Sequence, residues 1–221
     1  TVDQLSGGRV NVGLGSGWMP EEVAAASATH LFHRRHAHVR ETIEIMTGIW
    51  KNDVFEYHGE FADFQRSGFG TKPVQKPHPP IYFSGLKDPK RSADRITKYG
   101  LSGWIGIQDT PEEIVRWKTE IQRELDAAGS KRKLDDDFDM CSMIWFAITD
   151  SPVDHTRNHK LSNLLVGTKQ QITDILKEYR EAGMNMPLLW PPFPRLFPVP
   201  VSKTIDDLKV LANEIMPKVN A

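Results

Sequence analysis

The fold of this chain is decided at residues 10–18, where Val-Asn-Val-Gly-Leu-Gly-Ser-Gly-Trp runs from an apolar stretch into a glycine-rich turn. A short apolar run closed by glycines is typical of a buried strand. Glycines let the backbone turn sharply and let a ligand approach it closely. Spacing alone leaves two interpretations open: a tight turn into the next helix, or a turn that also binds a cofactor.

Strand-like and helix-like segments alternate along the rest of the chain. Residues 57–80, rich in proline and glycine, are expected to form a long loop with short extended pieces. The predicted strands are Val10–Leu14, Pro80–Phe83, Gly103–Ile107, Met140–Ile148 and Met186–Trp190. The predicted helices are Arg35–Trp50, Pro89–Tyr99 ended by Gly100, one capped by Thr110 and Glu113, one capped by Thr168 and Gln171 and ended by Gly183, and a last one with Ile205, Leu208, Leu211 and Ile215 on its inner face.

Five strands, each followed by a helix, imply a parallel α/β sheet with right-handed crossovers. A doubly wound sheet and a (β/α)8 barrel both satisfy this pattern, and periodicity alone does not choose between them.

Composition bounds the class of function. The chain has 221 residues, 39% of them hydrophobic, which suffices for one sizeable core, and a net charge of -1. Such a balance offers no electrostatic footprint for nucleic acid or an anionic membrane. The single cysteine, Cys141, lies in an apolar run and is expected to be a small buried residue. One cysteine excludes an internal disulfide framework and favours a reducing cytoplasm.

Several motifs, in the same order along nearly the whole chain, resemble the luciferase-like monooxygenase family. The glycine turn matches the segment around that family's fourth strand. The other matching elements are Phe32 to Arg35 with Glu41, Met46 and Trp50; Tyr57-His58-Gly59-Glu60-Phe61; residues 73–81, Pro-Val-Gln-Lys-Pro-His-Pro-Pro-Ile; Gly100 to Trp104; and Val166-Gly167-Thr168 with Ala182-Gly183.

The resemblance implies a (β/α)8 TIM barrel, of which residues 1–221 form a single domain covering about strands 4 to 8 and lacking the N-terminal three β/α units. An open arc of five strands exposes sheet edges and the inner face of the barrel. We therefore expect a homodimer, additional chain or poor solubility.

The resemblance also implies two cofactor-binding segments, at the carboxyl ends of the first two predicted strands. The first is Gly15, Ser16, Gly17 and Trp18, with Trp18 as a stacking surface. The second is Ser84, Gly85, Leu86 and Lys87, which would hold a phosphate group at a helix N-terminus, with Arg91 and Ser92 within reach. The alternative for the second segment is an ordinary strand-to-helix loop with a solvated lysine.

Other site residues are predicted one by one. Glu22 matches the family's acidic position after the glycine turn and is the candidate catalytic carboxylate. Trp104 and Trp190, at strand ends, are candidates for the substrate pocket or for plain core aromatics. Arg35 and Glu41 are a candidate ion pair. No metal site is predicted, although His30, His33, His36 and His38 are clustered, because no carboxylate completes a ligand set.

The function implied is an FMN-dependent or F420-dependent oxidoreductase, most simply a monooxygenase acting on a small organic substrate, with a separate flavin reductase as a partner if the cofactor is FMN. Two alternatives stay open: a truncated, inactive relative acting as a binding or interaction module, and a phosphate-binding lyase or isomerase without flavin.

Overall fold

A computed structural model describes residues 1–26, 28–84, 88–155, 164–190 and 200–220. The chain forms two compact units. The first comprises residues 1–84 and 94–103, and the second comprises residues 85–93 and 104–221. None of the helices within the described ranges is long and apolar enough to cross a membrane.

The first unit contains a short parallel strand pair, a hairpin and the long helix α3. Its elements are α1 (Val2–Ser6), β1 (Val12–Leu14), α2 (Pro20–Ala25), a 3₁₀ helix (Thr29–Arg34), α3 (Arg35–Lys51), β2 (Val54–His58), β3 (Asp63–Gly68), β4 (Ile81–Ser84) and the second half of α4 (Pro89–Tyr99). Strands β1 and β4 are parallel, and Ile81, Tyr82 and Phe83 of β4 form the buried centre of this unit.

The segment predicted as a long loop with short extended pieces contains β3 and the last two residues of β2, and the antiparallel pairing of these strands into a hairpin was not predicted. Phe55, Tyr57 and Phe64 are half-buried and their rings contact one another, with centroids 6.0–6.4 Å apart. The alternation of aromatic and other residues that is typical of a strand extends over only a few residues here. The glycines and prolines on either side of it favoured a loop, so the hairpin was not recognised.

The second unit consists of parallel strands and the helices that connect them. Its elements are the first half of α4, β5 (Gly103–Ile107), which begins at the last residue of the first unit, α5 (Pro111–Ala127), β6 (Asp139–Ile148), β7 (Leu165–Gly167), α6 (Lys169–Glu181), β8 (Met186–Trp190), α7 (Val201–Val210), a π-helical turn (Leu211–Ile215) and α8 (Met216–Asn220). The long strand β6 lies next to β5 and pairs in parallel with β8 through residues 141–145 and with β7 through residues 146–148.

The described residues thus contain eight strands, where the sequence predicted five. The five predicted strands are confirmed as β1, β4, β5, β6 and β8, within one or two residues of their predicted bounds. The three that were missed are the two hairpin strands and β7, which has only three residues.

Helix ends follow the local signals. Both capping boxes are present, Thr110 with Glu113 and Thr168 with Gln171, and in each the side chain of one residue binds the backbone N–H of the other. Gly100 has a φ angle of 61° and ends α4, as predicted.

The last predicted helix differs from its expected inner face. Leu211 and Ile215 are buried, but Ile205 and Leu208 are 49% and 44% exposed. Asp207 is buried in their place, because its carboxylate accepts a hydrogen bond from the Ile148 backbone N–H at 3.1 Å. This buried polar contact turns the apolar stripe of α7 outward.

Candidate functional site

The two predicted cofactor segments leave neighbouring strands at the same end. Strands β1 and β4 are parallel and in register, with Val12 beside Ile81 and Leu14 beside Phe83. Gly15 directly follows β1, and Ser84 is the last residue of β4. The structure therefore brings these two residues to one edge, the carboxyl edge at which parallel α/β sheets bind ligands.

The glycine turn is open to solvent. A Cβ atom at Gly15 would meet no atom within 4 Å, and Gly17 has a φ angle of 73°, which favours glycine. Ser16 is half-buried, whereas the Trp18 side chain is 74% exposed. An unobstructed backbone beside an exposed indole fits one wall of a site for a flat aromatic cofactor.

Arg35 holds this turn in place. Its Nε donates to the carbonyl oxygen of Gly17 at 3.0 Å, its Nη1 donates to the carbonyl of Phe32 at 2.8 Å, and its guanidinium lies over the Phe32 ring. The predicted ion pair between Arg35 and Glu41 is wrong, because each side chain binds backbone groups instead. The role of Arg35 was missed, although its place in the Phe32 to Arg35 motif was the available signal.

The Glu41 carboxylate links α3 to the turn of the hairpin between β2 and β3. It is only 8% exposed and accepts backbone N–H groups from Glu60, Phe61 and Ala62 at 2.8–3.0 Å. Backbone donors satisfy a buried carboxylate without a cation. The motif around Gly59 is thus a structural clamp.

The second cofactor segment is described only in part. Ser84 is half-buried at the end of β4, while Gly85, Leu86 and Lys87 lie outside the described residues. At the start of α4, Asp88 caps the helix by accepting from the Arg91 backbone N–H at 3.0 Å. The Arg91 side chain pairs with the Asp88 carboxylate at 3.2 Å, and Ser92 is buried and donates to the Asp88 carbonyl. A role of these residues in phosphate binding stays a prediction.

The two tryptophans proposed for a substrate pocket have different surroundings. Trp104 is 4% exposed and its ring lies 6.5 Å from that of Trp117 in α5, on the helix side of β5. Trp190 ends β8 and is 48% exposed. Of the two, only Trp190 has a ring that a ligand reaches without displacing core atoms.

Of the remaining predicted residues, Glu22 lies exposed on the short helix α2. The part of the chain that the structure describes holds no group of three metal-ligating side chains close enough for a metal ion. Cys141 is buried as predicted, at 1% exposure, and burial raises the pKa of its thiol to about 12.

A second cluster lies in the first unit, at the opposite end of β4. The Glu44 carboxylate accepts from the Tyr57 hydroxyl and from Lys98 Nζ, each at 2.7 Å, and these side chains line an open cavity of about 880 Å³ next to Pro80. Burial pushes the pKa of Glu44 up, but the hydrogen bonds from Lys98 and Tyr57 bring it below its ordinary value. In barrel enzymes the amino ends of the strands serve stability, so this cluster is not counted among the candidate cofactor-binding residues.

Known proteins resemble this chain in sequence. Residues 1–162 match the family model described as luciferase-like monooxygenase. An FMNH₂-dependent dimethylsulfone monooxygenase of Pseudomonas putida is 37% identical over 116 residues, 52% of this chain and 32% of that protein. The chain thus aligns with about a third of that relative's length.

Solved structures share its fold. A monooxygenase, RslO1, from Streptomyces bottropensis matches 98% of this chain and 70% of its own, with a TM-score of 0.74 and 19% identity. An F420-dependent secondary alcohol dehydrogenase in complex with an F420-acetone adduct matches 99% of this chain and 72% of its own, with a TM-score of 0.72 and 18% identity. The family model matches most of the sequence. The parallel strands of the structure and the motifs around the glycine turn are both consistent with that match. The chain belongs to the luciferase-like monooxygenase family.

Proposed function

We propose that this chain supplies a cofactor-binding wall of a reduced-FMN-dependent monooxygenase that acts on a small organic substrate. The observation that carries the proposal is the common edge reached by Gly15 and Ser84, with the exposed Trp18 three residues after Gly15 in the chain. We further propose that β1, β4, β5, β6 and β8 correspond to strands four to eight of the family barrel.

The role of this chain's residues is to bind and orient the cofactor. The glycine turn presents bare backbone, Trp18 presents a stacking face, and Arg35 fixes the turn through the Gly17 carbonyl. Reduced FMN, when bound, supplies the electrons with which dioxygen is activated. A separate flavin reductase has to provide that reduced FMN. The predicted cytoplasmic location and homodimer stay predictions.

FMN is favoured over F420 by two observations. The relative named as FMNH₂-dependent is 37% identical, whereas the F420-dependent dehydrogenase is 18% identical and shares only the fold. Some F420 enzymes of the family also carry a carboxylate directly after the glycine turn, where this chain has Trp18. F420 is the second candidate cofactor. No specific observation favours an inactive interaction module.

Cofactor titrations test the proposal. The protein is titrated anaerobically with photoreduced FMN, and separately with F420, while tryptophan quenching is recorded. We expect saturable binding of reduced FMN. Since an aromatic contact contributes about 0.5–1.5 kcal/mol, Trp18→Leu should raise the Kd roughly two- to twelvefold, and Trp18→Phe by less.

Leu5→Ala is the matched control, since Leu5 is 82% exposed and lies in α1. Its Kd should equal that of the unsubstituted protein. If F420 binds more tightly than reduced FMN, F420 is the cofactor. If neither binds saturably, the proposal is overturned.

A further inference from the structure

Gln108 has an unusual backbone conformation. It directly follows β5 and has a φ angle of 54°, and it is the one non-glycine residue with positive φ among those the structure describes. Left-handed conformations cost a side-chain-bearing residue about 1 kcal/mol or more, and they cluster at functional sites when surrounding structure imposes them.

A buried network imposes this conformation through the next residue, Asp109. Asp109 and Ser142 are both 0% exposed. The Ser142 hydroxyl donates to the Asp109 carboxylate at 3.2 Å and accepts from the Asp109 backbone N–H at 3.3 Å, while the Tyr179 hydroxyl donates to the Asp109 carbonyl at 2.8 Å. The Gln108 N–H itself donates to the Met143 carbonyl at 2.9 Å. The peptide groups on both sides of Gln108 are therefore fixed.

Gly106 makes this network possible. A Cβ atom there would collide with the Asp109 carboxylate and with the Trp104 ring. Gly106 and Trp104 therefore share the helix-facing side of β5. Because neighbouring strand residues point to opposite faces, Ile107 lies on the other face, where it is 56% exposed.

The same face continues across β6 and β8, where it is only partly open, because Trp145 packs against the buried cluster of Ala147, Leu164 and Val166. Ser142, Ile144 and Phe146 are buried, whereas the alternate residues Met143 and Trp145 are only half-buried. Trp145 lies in register with Trp190, which is 48% exposed. Paired residues of parallel strands share a face, so Ile107, Trp145 and Trp190 form an apolar wall. Gln108 directly follows Ile107 and therefore lies at the end of the part of this wall that β5 forms.

We propose that Gln108 contacts the organic substrate and that Asp109 acts as its positioning residue. The amide donates a hydrogen bond to an oxygen of the substrate while the wall of Ile107, Trp145 and Trp190 binds its apolar body. The substrate class is accordingly an apolar compound that carries one hydrogen-bond-accepting oxygen. This inference deepens the proposed function and rests on it.

A matched pair of probes tests the polar contact. Acetophenone and ethylbenzene have similar shapes, but only acetophenone has a carbonyl oxygen, and ethylbenzene is the more hydrophobic. Apolar surface alone would therefore favour ethylbenzene. We expect the protein to bind acetophenone about tenfold more tightly, the effect of one good hydrogen bond. The Kd values are measured by anaerobic calorimetry on the full chain in the presence of reduced FMN.

Three variants separate contact from fold. Gln108→Gly should abolish the preference for acetophenone and leave the Tm equal or higher, because glycine adopts this φ angle without strain. Gln108→Asn keeps an amide that tolerates the left-handed region and should retain part of the preference. Ser142→Ala should lower both the preference and the Tm. Gln170→Ala, on the exposed face of α6, is the matched control and should change neither.

The inference is overturned if the unsubstituted protein binds the two probes equally, or if Gln108→Gly keeps the preference for acetophenone. These outcomes are independent of FMN binding, which is measured in the same samples. Binding of FMN without a preference refutes the role of Gln108 alone, and a preference without FMN binding refutes the proposed cofactor alone.

Discussion

The Glu41 carboxylate occupies the space in which Gly59 would carry a side chain. A Cβ atom built on Gly59 collides with Glu41 Oε1, and that same oxygen accepts the N–H groups of Phe61 and Ala62. The glycine of the hairpin and the acid of α3 are therefore one structural unit, although 18 positions separate them.

Gly59→Ala should destabilise the protein by about 1–3 kcal/mol, because an added methyl forces a tightly packed region to shift. Glu41→Gln should also destabilise it, by about 1–3 kcal/mol, since it replaces one of the two accepting carboxylate oxygens by an NH2 group, which only donates hydrogen bonds. Urea unfolding followed by tryptophan fluorescence measures both changes. Gly70→Ala is the control, because a Cβ atom at Gly70 meets nothing within 4 Å. Equal effects at Gly59 and Gly70 would refute the clamp.

Gly48→Ala should reverse the usual sign of a glycine substitution inside a helix. Alanine ordinarily stabilises an exposed helix interior by about 0.5–1 kcal/mol relative to glycine. Here the Cβ atom would collide with the Phe55 ring, so we expect a net loss of about 1–3 kcal/mol. Urea midpoints of the single variants and of Gly48→Ala with Phe55→Leu give a double-mutant cycle. The second substitution should recover much of the loss, and strictly additive effects would contradict the predicted contact.

Glu44 should make the stability of the first unit depend on pH on the acid side. Burial raises its pKa, but Lys98 and Tyr57 outweigh burial and lower it below 4.5. A lowered folded-state pKa gives stability that is present above the unfolded value and is lost as the pH falls through the folded value. The pKa of Lys98 is raised, chiefly by its hydrogen bond to Glu44, so its contribution is present below 10.5 and is lost only at higher pH.

The measurement compares urea midpoints of the unsubstituted protein and Glu44→Gln at pH 7, 5 and 3. Their difference should be largest at pH 7 and should fall by at least about half at pH 3. Glu56→Gln, at an exposed position of β2, serves as the control variant. A difference that stays constant from pH 7 to pH 3 would show that Glu44 contributes through packing and not through its charge.

Cys141 should react with a thiol reagent only when the protein unfolds. Its pKa of about 12, raised by burial, leaves far less thiolate than a free cysteine has, and the residue is 1% exposed. At pH 8 we expect labelling by 5,5′-dithiobis(2-nitrobenzoate) to be at least about a hundredfold slower than labelling of free cysteine. Urea above the unfolding midpoint should restore the ordinary rate. Fast labelling of the native protein would contradict the burial of Cys141.

Local sequence signals predicted many of the elements. The capping pair Thr110 and Glu113 lies three residues apart, and Gly100 ends α4 through its own φ angle, so both act within one turn of helix. The alternation of apolar strands and helices likewise gave the α/β class. The order of the motifs gave the family, and the match over residues 1–162 confirms it.

Partners far apart in the chain were not predictable in this way. Arg35 was expected to bind Glu41, six residues away, but it binds the Gly17 carbonyl, and Glu41 binds the hairpin. The predicted inner face of the last helix failed for the same reason, since Asp207 is buried by its contact with Ile148. A buried polar side chain binds the unsatisfied backbone group that tertiary packing places next to it. The periodicity of the sequence does not indicate which backbone group that is.

The sequence by itself determined the glycine turn, the helix caps and the family, because these depend on neighbours within a few residues and on the order of motifs. Only the tertiary structure decided that Gly15 and Ser84 leave β1 and β4 at one edge, since strand register is set by long-range pairing. It alone revealed the conformation of Gln108, which glutamine does not prefer and which the buried contacts of Asp109 hold in place.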